Sequence, residues 1–189
     1  MASHLQPSRS ERLIIGITGR IGSGKTTVGM YLESDHGFQY LRYSLVLADW
    51  LAQDPERRAD LQTVGWKVMS CGMQGELNTR LIAQILPERA VAVDGLRHPL
   101  DYATLRKSFP WLRLLFIDSP PHLRFERLNR KGRYVDFASF QSADTHPVEL
   151  QIDALRTNAT LVIQNDASLQ DLYAIVDETI SRFQKEGQL

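Results

Sequence analysis

Between Gly16 and Thr27 the chain reads GITGRIGSGKTT, with four glycines, three threonines and a single lysine. Gly19, Gly24, Lys25 and Thr26 fall in the spacing Gly-(four residues)-Gly-Lys-Thr, the P-loop pattern. Each residue type has a chemical reason to be there. Glycines let backbone N–H groups turn inward around phosphate oxygens with no Cβ in the way. A helix opening at Lys25 would add unpaired donors and a partial positive charge. Lys25 would bring a mobile charge to the β- and γ-phosphates of a nucleoside triphosphate, and Thr26 a hydroxyl to Mg2+. The pattern follows an apolar run, RLIIGIT, and precedes a helical one, the context in which it is informative.

Such a loop needs a carboxylate from a neighbouring strand to hold the metal. VAVDG offers Asp94 at the end of an apolar run, as a second metal residue beside Thr26. The plainer alternative is a turn, because Asp-Gly is a common turn pair. Asp118 is the rival carboxylate, although its place before Ser119-Pro120-Pro121 suits helix capping. Arg97, in DGLRHP, could clamp a phosphate on an acceptor or be a solvated loop charge. Arg124, Arg127 and Arg130 recur every three residues and so share one broad helical face. Lys131 and Arg133 extend them to five cations in ten residues. Charge runs are usually solvated faces. Here a polar segment follows, as in a lid, and guanidinium groups stabilise charge spreading over a transferring phosphoryl group.

The elements that must position these residues alternate. Arg12 to Thr18, Phe38 to Tyr43, Arg89 to Gly95, Leu112 to Asp118 and Ala159 to Asn165 read as strands. Helices are expected from Lys25 to Asp35, stopped by Gly37, and from Pro99 to Ser108. Others are expected after Ser119 as N-cap with Pro120 at the first helical position, from His146 to Asn158, and from Ser168 to Lys185. Residues 44–86 are mostly helical in pattern, with Pro55 as a possible helix start and Gly72 and Gly75 as interruptions. Arg130 to Asp144 reads as polar and irregular. Five strands alternating with helices predict a three-layer α/β domain around a parallel sheet.

Composition sets outer bounds. The 189 residues are 43% hydrophobic and 23% charged, which suits one globular domain with a large core. Basic and acidic residues balance at 22 each, so no bulk attraction to nucleic acid or anionic membrane is indicated, and any anion site must be local. A single cysteine, Cys71, excludes an internal disulfide, and the five histidines show no metal-ligand spacing. No apolar stretch is long enough to span a bilayer, and the first ten residues are polar and lack a secretory core. They read as a loose tail, and the protein as cytoplasmic.

On these motifs the sequence resembles the P-loop nucleoside and nucleotide kinases. IGITGRIGSGKTTVGMYLE is also similar to the start of dephospho-coenzyme A kinases. A broader likeness, over nearly the whole chain after the tail, is to a prokaryotic group of kinase-like P-loop proteins. It is carried by GFQYLRYSLVL, LQTVGWKVMSCGMQGEL, VDGLRHPLDYATLRKSFP, FIDSPPHLRFERLNRKGR and DTHPVELQIDALRTNATLVIQNDASL. The resemblance implies a P-loop NTPase fold with a five-stranded parallel sheet. It implies a flexible tail over 1–10 and a single kinase-like domain over 11–189, with a helical acceptor region at about 44–86 and a lid at about 130–145. Gly19, Arg20, Ile21, Gly22, Ser23, Gly24, Lys25, Thr26 and Thr27 would form the ATP phosphate loop. Asp94 and Arg97 would face the metal and the acceptor, and Arg127, Arg130 and Arg133 would belong to the lid. Members of the group often carry Asp after the small residue that opens the second helical region; here the sequence is Ser44-Leu45-Val46. Dephospho-coenzyme A kinases have an aspartate near there that can act as base, so its loss argues against that acceptor.

The expected activity is ATP-dependent, Mg2+-dependent phosphoryl transfer to a small phosphorylated acceptor, a nucleoside monophosphate or related nucleotide. A phosphate oxygen is already ionised at neutral pH, which fits a chain with no obvious catalytic histidine. The alternatives are a nucleotide-binding regulatory module or slow NTPase, and dephospho-coenzyme A as acceptor. Ser44 reads as a helix cap or an acceptor contact, and Trp50 and Trp66 as core residues before base-stacking ones. Asn165 and Asp166 read as a plain turn or as neighbours of an adenine ring.

Overall fold

Charge-poor runs become strands that helices cover on both faces. In the computed structural model, which describes residues 12–54 and 58–186, β1 (Ile14–Thr18), β2 (Gln39–Arg42), β3 (Val91–Leu96), β4 (Arg113–Asp118) and β5 (Leu161–Gln164) form one sheet. Its order is β2-β3-β1-β4-β5, and every pairing is parallel. The loose tail and the helix start expected at Pro55 lie outside the described residues. β1 is central and wholly buried. Its side chains alternate between the layers: Ile14 joins one core cluster, Ile15 and Ile17 the other. This is the expected three-layer α/β architecture around a five-stranded parallel sheet.

One layer consists of α1 (Lys25–His36) and the C-terminal helix. Val28 and Leu32 of α1 pack with Leu172, Val176, Ile180 and Phe183 against the sheet. The other layer holds the segment after β2. There α2 (Tyr43–Trp50), α3 (Arg58–Ser70) and α4 (Gln74–Ile82) precede β3, and α5 (Pro99–Ser108) follows it. Leu47, Leu61, Leu77 and Leu105 bury this layer against Val91, Val93 and Leu114. No helix among the described residues is long and apolar enough to cross a membrane.

Four local expectations are corrected. α2 begins at Tyr43 with Arg42 at its N-cap, so Ser44 lies inside the first turn and is not the cap. α6 (Pro121–Asn129) has Pro120 at its N-cap and Pro121 in its first turn. Ser119 is buried one residue earlier, its hydroxyl accepting from Arg127 at 3.0 Å. The stretch expected to be irregular contains α7 (Phe137–Asp144), capped by Asp136, whose carboxylate accepts from the Ser139 amide at 2.7 Å. Phe140 buries that helix against Ile21 and Leu128, which is why a polar segment still folds. After it, α8 (Pro147–Leu150) runs into a 3-10 helix (Gln151–Asn158) in place of one continuous α-helix. α9 (Leu169–Glu186) closes the chain.

Candidate active site

The loop from β1 to α1 uses its glycines where no other residue fits. Gly19, Gly22 and Gly24 have φ of 142°, 78° and 107°, in the region side chains disfavour. A Cβ on Gly19 would run into the Ile117 carbonyl oxygen, and one on Gly24 into the Asn165 amide. Gly24 is the N-cap of α1, so the loop ends at a helix N-terminus. Lys25 Nζ lies back over its own loop, donating to the carbonyls of Gly19 at 2.7 Å and Arg20 at 3.0 Å. Asn165, just beyond β5, braces the loop from outside by donating to the Ser23 carbonyl at 2.7 Å.

Two loop side chains are engaged by neighbouring elements. Arg20 forms a two-pronged pair with Asp153, at 3.0 and 2.6 Å, and donates to the Asp144 carbonyl at 2.8 Å. The Asp153 bond raises the Arg20 pKa above the ordinary arginine value. Ile21 is buried with Leu128 and Phe140. Arg124, expected to share a face with the lid arginines, is turned inward. It donates to the Ile21 carbonyl at 2.9 Å and to both Asp144 oxygens, at 2.6 and 2.9 Å. It fastens α6 and the end of α7 to the loop.

Asp94 lies within β3, not at a turn. Its pairing with β1 runs in step to Ile17↔Asp94 and then jumps to Thr18↔Leu96, leaving Gly95, at φ 94°, as a bulge. Asp94 is 4% exposed, and its Oδ2 accepts from the Tyr40 hydroxyl at 2.7 Å and the Thr26 hydroxyl at 3.2 Å. Burial, together with the charge of Asp94, holds the Tyr40 phenol above the ordinary tyrosine range, so it stays a donor. Asp94 Oδ1 is buried and has no hydrogen-bond partner. An acceptor-only oxygen without a partner, beside a threonine hydroxyl at the end of a phosphate loop, fits a hard cation such as Mg2+. Mg2+ characteristically takes one or two carboxylates and completes its shell with phosphate oxygens and water. Among the described residues no group of three or more histidines, cysteines and acids could hold a metal by itself. Asp118 does not line this site; Arg156 binds it at 2.6 Å.

Lys25, Thr26 and Asp94 open onto a cleft of about 510 Å³. Arg97 lines it as well, paired at 2.8 Å with Glu149, whose side chain is wholly buried. Arg127, Arg130 and Arg133 line it too. Arg127 is half-buried and donates to Ser119 and to the Asn165 carbonyl at 2.8 Å. Burial, and the charge of Arg130, lower its pKa below the ordinary arginine value. Arg130 is largely exposed and 3.8 Å from Glu126. Gly19, Arg20 and Ser23 do not line the cleft, whereas Ile21, Gly22, Gly24 and Thr27 do.

The region expected to receive an acceptor departs further from expectation. Leu45 is 44% exposed and outside the cleft, while Ser44 lines it. Trp50 packs on the core under the Arg80 guanidinium, 4.9 Å from its ring centre, and Trp66 is exposed; neither lines the cleft. Asp101 does line it, but both its oxygens are engaged. Oδ2 accepts from the amides of Arg97 at 3.0 Å and His98 at 2.9 Å, and Oδ1 from Gln74. Burial raises its pKa against the pull of those bonds. Sequence reasoning missed Tyr40, Arg42, Asp101 and Glu149. The available signal was alternation: Tyr40 and Arg42 share a strand face, and Arg42 pairs with Asp94.

No family model matches the chain. It is 25% identical over 189 residues to a UPF0200 protein of Thermococcus onnurineus, covering 92% of this chain and 100% of the relative. A UPF0200 protein of Pyrococcus abyssi is 29% identical over 174 residues, covering 84% and 90%. Among solved structures, a gluconokinase from Sinorhizobium meliloti 1021 superposes with a TM-score of 0.62 at 18% identity, over 94% of this chain and 96% of that one. Shikimate kinase from Acinetobacter baumannii gives 0.57 at 17% identity, over 90% and 94%. The chain thus shares the fold of these P-loop kinases, and its sequence is similar to UPF0200 proteins.

Proposed function

We propose that this chain transfers the γ-phosphoryl group of ATP to a small phosphorylated acceptor, a nucleoside monophosphate or related nucleotide. One observation carries the reading. The phosphate loop and Arg97 line one cleft, and both carboxylates that line it are already engaged. Of its two acids, Asp94 has Oδ2 engaged by two hydroxyls and Oδ1 at the metal position, and Asp101 accepts from two amides and Gln74. A hydroxyl acceptor must lose a proton, whereas a phosphate oxygen is ionised already.

The chain's contribution is then positioning and charge stabilisation. Loop amides from Gly19 to Thr27 hold the triphosphate, and Lys25 swings from its own carbonyls to the β- and γ-oxygens. Thr26 and Asp94 would hold Mg2+, which would offset the charge of the phosphate oxygens. Arg97 orients the acceptor. An acceptor oxygen attacks the γ-phosphorus in line, the bond to the β–γ bridging oxygen breaks, and ADP leaves. Arg127, Arg130 and Arg133 stabilise the charge that spreads over the transferring oxygens.

The test is a screen with labelled ATP and Mg2+ against nucleoside monophosphates, their deoxy forms, dephospho-coenzyme A and a 5′-hydroxyl oligonucleotide. Transfer to a nucleoside monophosphate well above background hydrolysis supports the reading. Transfer to the oligonucleotide alone overturns it. A second reading, a nucleotide-binding regulatory module or slow NTPase, is favoured by Leu45 and by the Glu149 tether on Arg97. Nucleotide binding without transfer to any acceptor would select it.

A further inference from the structure

We propose that Arg42 is the principal seat of the acceptor's phosphate, with Arg97 as a second, tethered contact. The inference rests on the kinase reading for the location of the acceptor, and the observations behind Arg42 are separate from those behind the loop. Arg42 is the last residue of β2, pairs in register with Asp94, and lines the cleft on the acceptor side, where α2 begins at the next residue.

Among the described residues four arginines around the site are paired with a carboxylate, whereas Arg127 and Arg133 of the expected lid are not. Arg20 is paired with Asp153, Arg97 with Glu149, Arg124 with Asp144 and Arg156 with Asp118. Among the described residues Arg42 makes no ion pair and no side-chain hydrogen bond, and its Nε is buried without a partner. Its neighbour Asp94 does not quench it, because Asp94 Oδ2 takes the hydroxyls of Tyr40 and Thr26 instead. A buried guanidinium N–H left unpaired is costly, and an arriving anion removes that cost. The planar fork of donors matches phosphate oxygens in pairs, with a specificity an ammonium lacks. Arg97, paired with the buried Glu149, orients more than it attracts. Arg42 therefore supplies the uncompensated charge that distinguishes a phosphate monoester from the neutral nucleoside.

The test is calorimetry on the full chain saturated with Mg2+ and a non-transferable ATP analogue. The probes are AMP, GMP, CMP, UMP, dTMP and inorganic phosphate, with the parent nucleosides as controls. Wild type is expected to bind at least one monophosphate more tightly than its nucleoside. Arg42→Gln should weaken that binding by about 10- to 100-fold, the range for losing a charge-assisted bond, and leave binding of the ATP analogue unchanged. Arg42→Lys, which keeps the charge but not the fork, should fall between, and serves if the glutamine variant melts early. Equal monophosphate affinity in wild type and Arg42→Gln overturns the assignment, as does failure of every phosphate probe to bind wild type. Transfer to a monophosphate with unchanged KM in Arg42→Gln rejects Arg42 and leaves the kinase reading standing. Monophosphate binding that Arg42→Gln abolishes, with no transfer in wild type, keeps Arg42 and rejects the kinase.

Discussion

The Tyr40 hydroxyl donates to Asp94 Oδ2 across 2.7 Å, tying β2 to the β3 carboxylate proposed to hold the metal. Thr26 approaches the same oxygen from the start of α1 at 3.2 Å, so Oδ1 is the oxygen left for a cation. Tyr40→Phe removes the bond that fixes this orientation and keeps the ring. Mg2+ affinity in the presence of nucleotide should fall by about tenfold, as for other outer partners of metal ligands. Nucleotide affinity without metal should not change. A Mn2+ titration followed by electron paramagnetic resonance reads this directly, and equal metal affinity in both proteins would remove Tyr40 from the site.

Gly29 extends the same arrangement. It lies inside α1, where alanine would ordinarily stabilise a helix by about 0.5–1 kcal/mol. Here a Cβ would overlap the Tyr40 ring. Gly29→Ala is therefore expected to destabilise by about 1–3 kcal/mol, the usual cost of overpacking, and to weaken the metal as Tyr40→Phe does. Denaturant unfolding checks the sign; a net gain in stability would mean that the ring yields easily.

Lys25 Nζ donates to the Gly19 and Arg20 carbonyls of its own loop. Lys25→Ala should lower phosphoryl transfer by about a hundredfold or more, as expected for losing a charge that acts in the transition state. The thermal midpoint should stay close to that of wild type. Undiminished turnover in this variant would remove the central assignment.

Asp118 gives an expectation about pH. Burial alone would raise its pKa, but the hydrogen bond and charge of Arg156 outweigh this, and the value lies below the ordinary aspartate range. A carboxyl depressed in the folded state contributes stability above its unfolded pKa of about 4 and loses it as pH falls through the folded value. Arg156→Gln should therefore be less stable than wild type near neutrality, by about 0.5 kcal/mol for so exposed a pair. The gap should close in strong acid. Urea midpoints measured across that range decide it: a gap that is constant down to the lowest pH would assign the loss to packing of Arg156 over Phe116.

Fold and phosphate loop were legible because their signals are local. A buried parallel strand must be apolar, as Ile14 to Ile17 is, and a loop that turns its amides inward must carry glycine where φ is positive. The acceptor end was less legible. Arg124 and Arg127 look alike in sequence, yet one is buried against Asp144 and the other lines the cleft. α7 was hidden because its stability comes from Phe140 meeting Ile21, more than a hundred residues earlier.

The sequence by itself determined the strand order along the chain, the phosphate loop and the acid on β3, since each depends on residue type at short spacing. Only the tertiary structure decided which charges are spent on one another and which remain for a ligand. Arg20, Arg97 and Arg124 find carboxylates from distant segments, and Arg42 finds none among the described residues. Pairing of that kind is set by the register of β2 against β3 and by where α7, α8 and the 3-10 helix bring Asp144, Glu149 and Asp153. It depends on distances in space, which spacing along the chain does not encode.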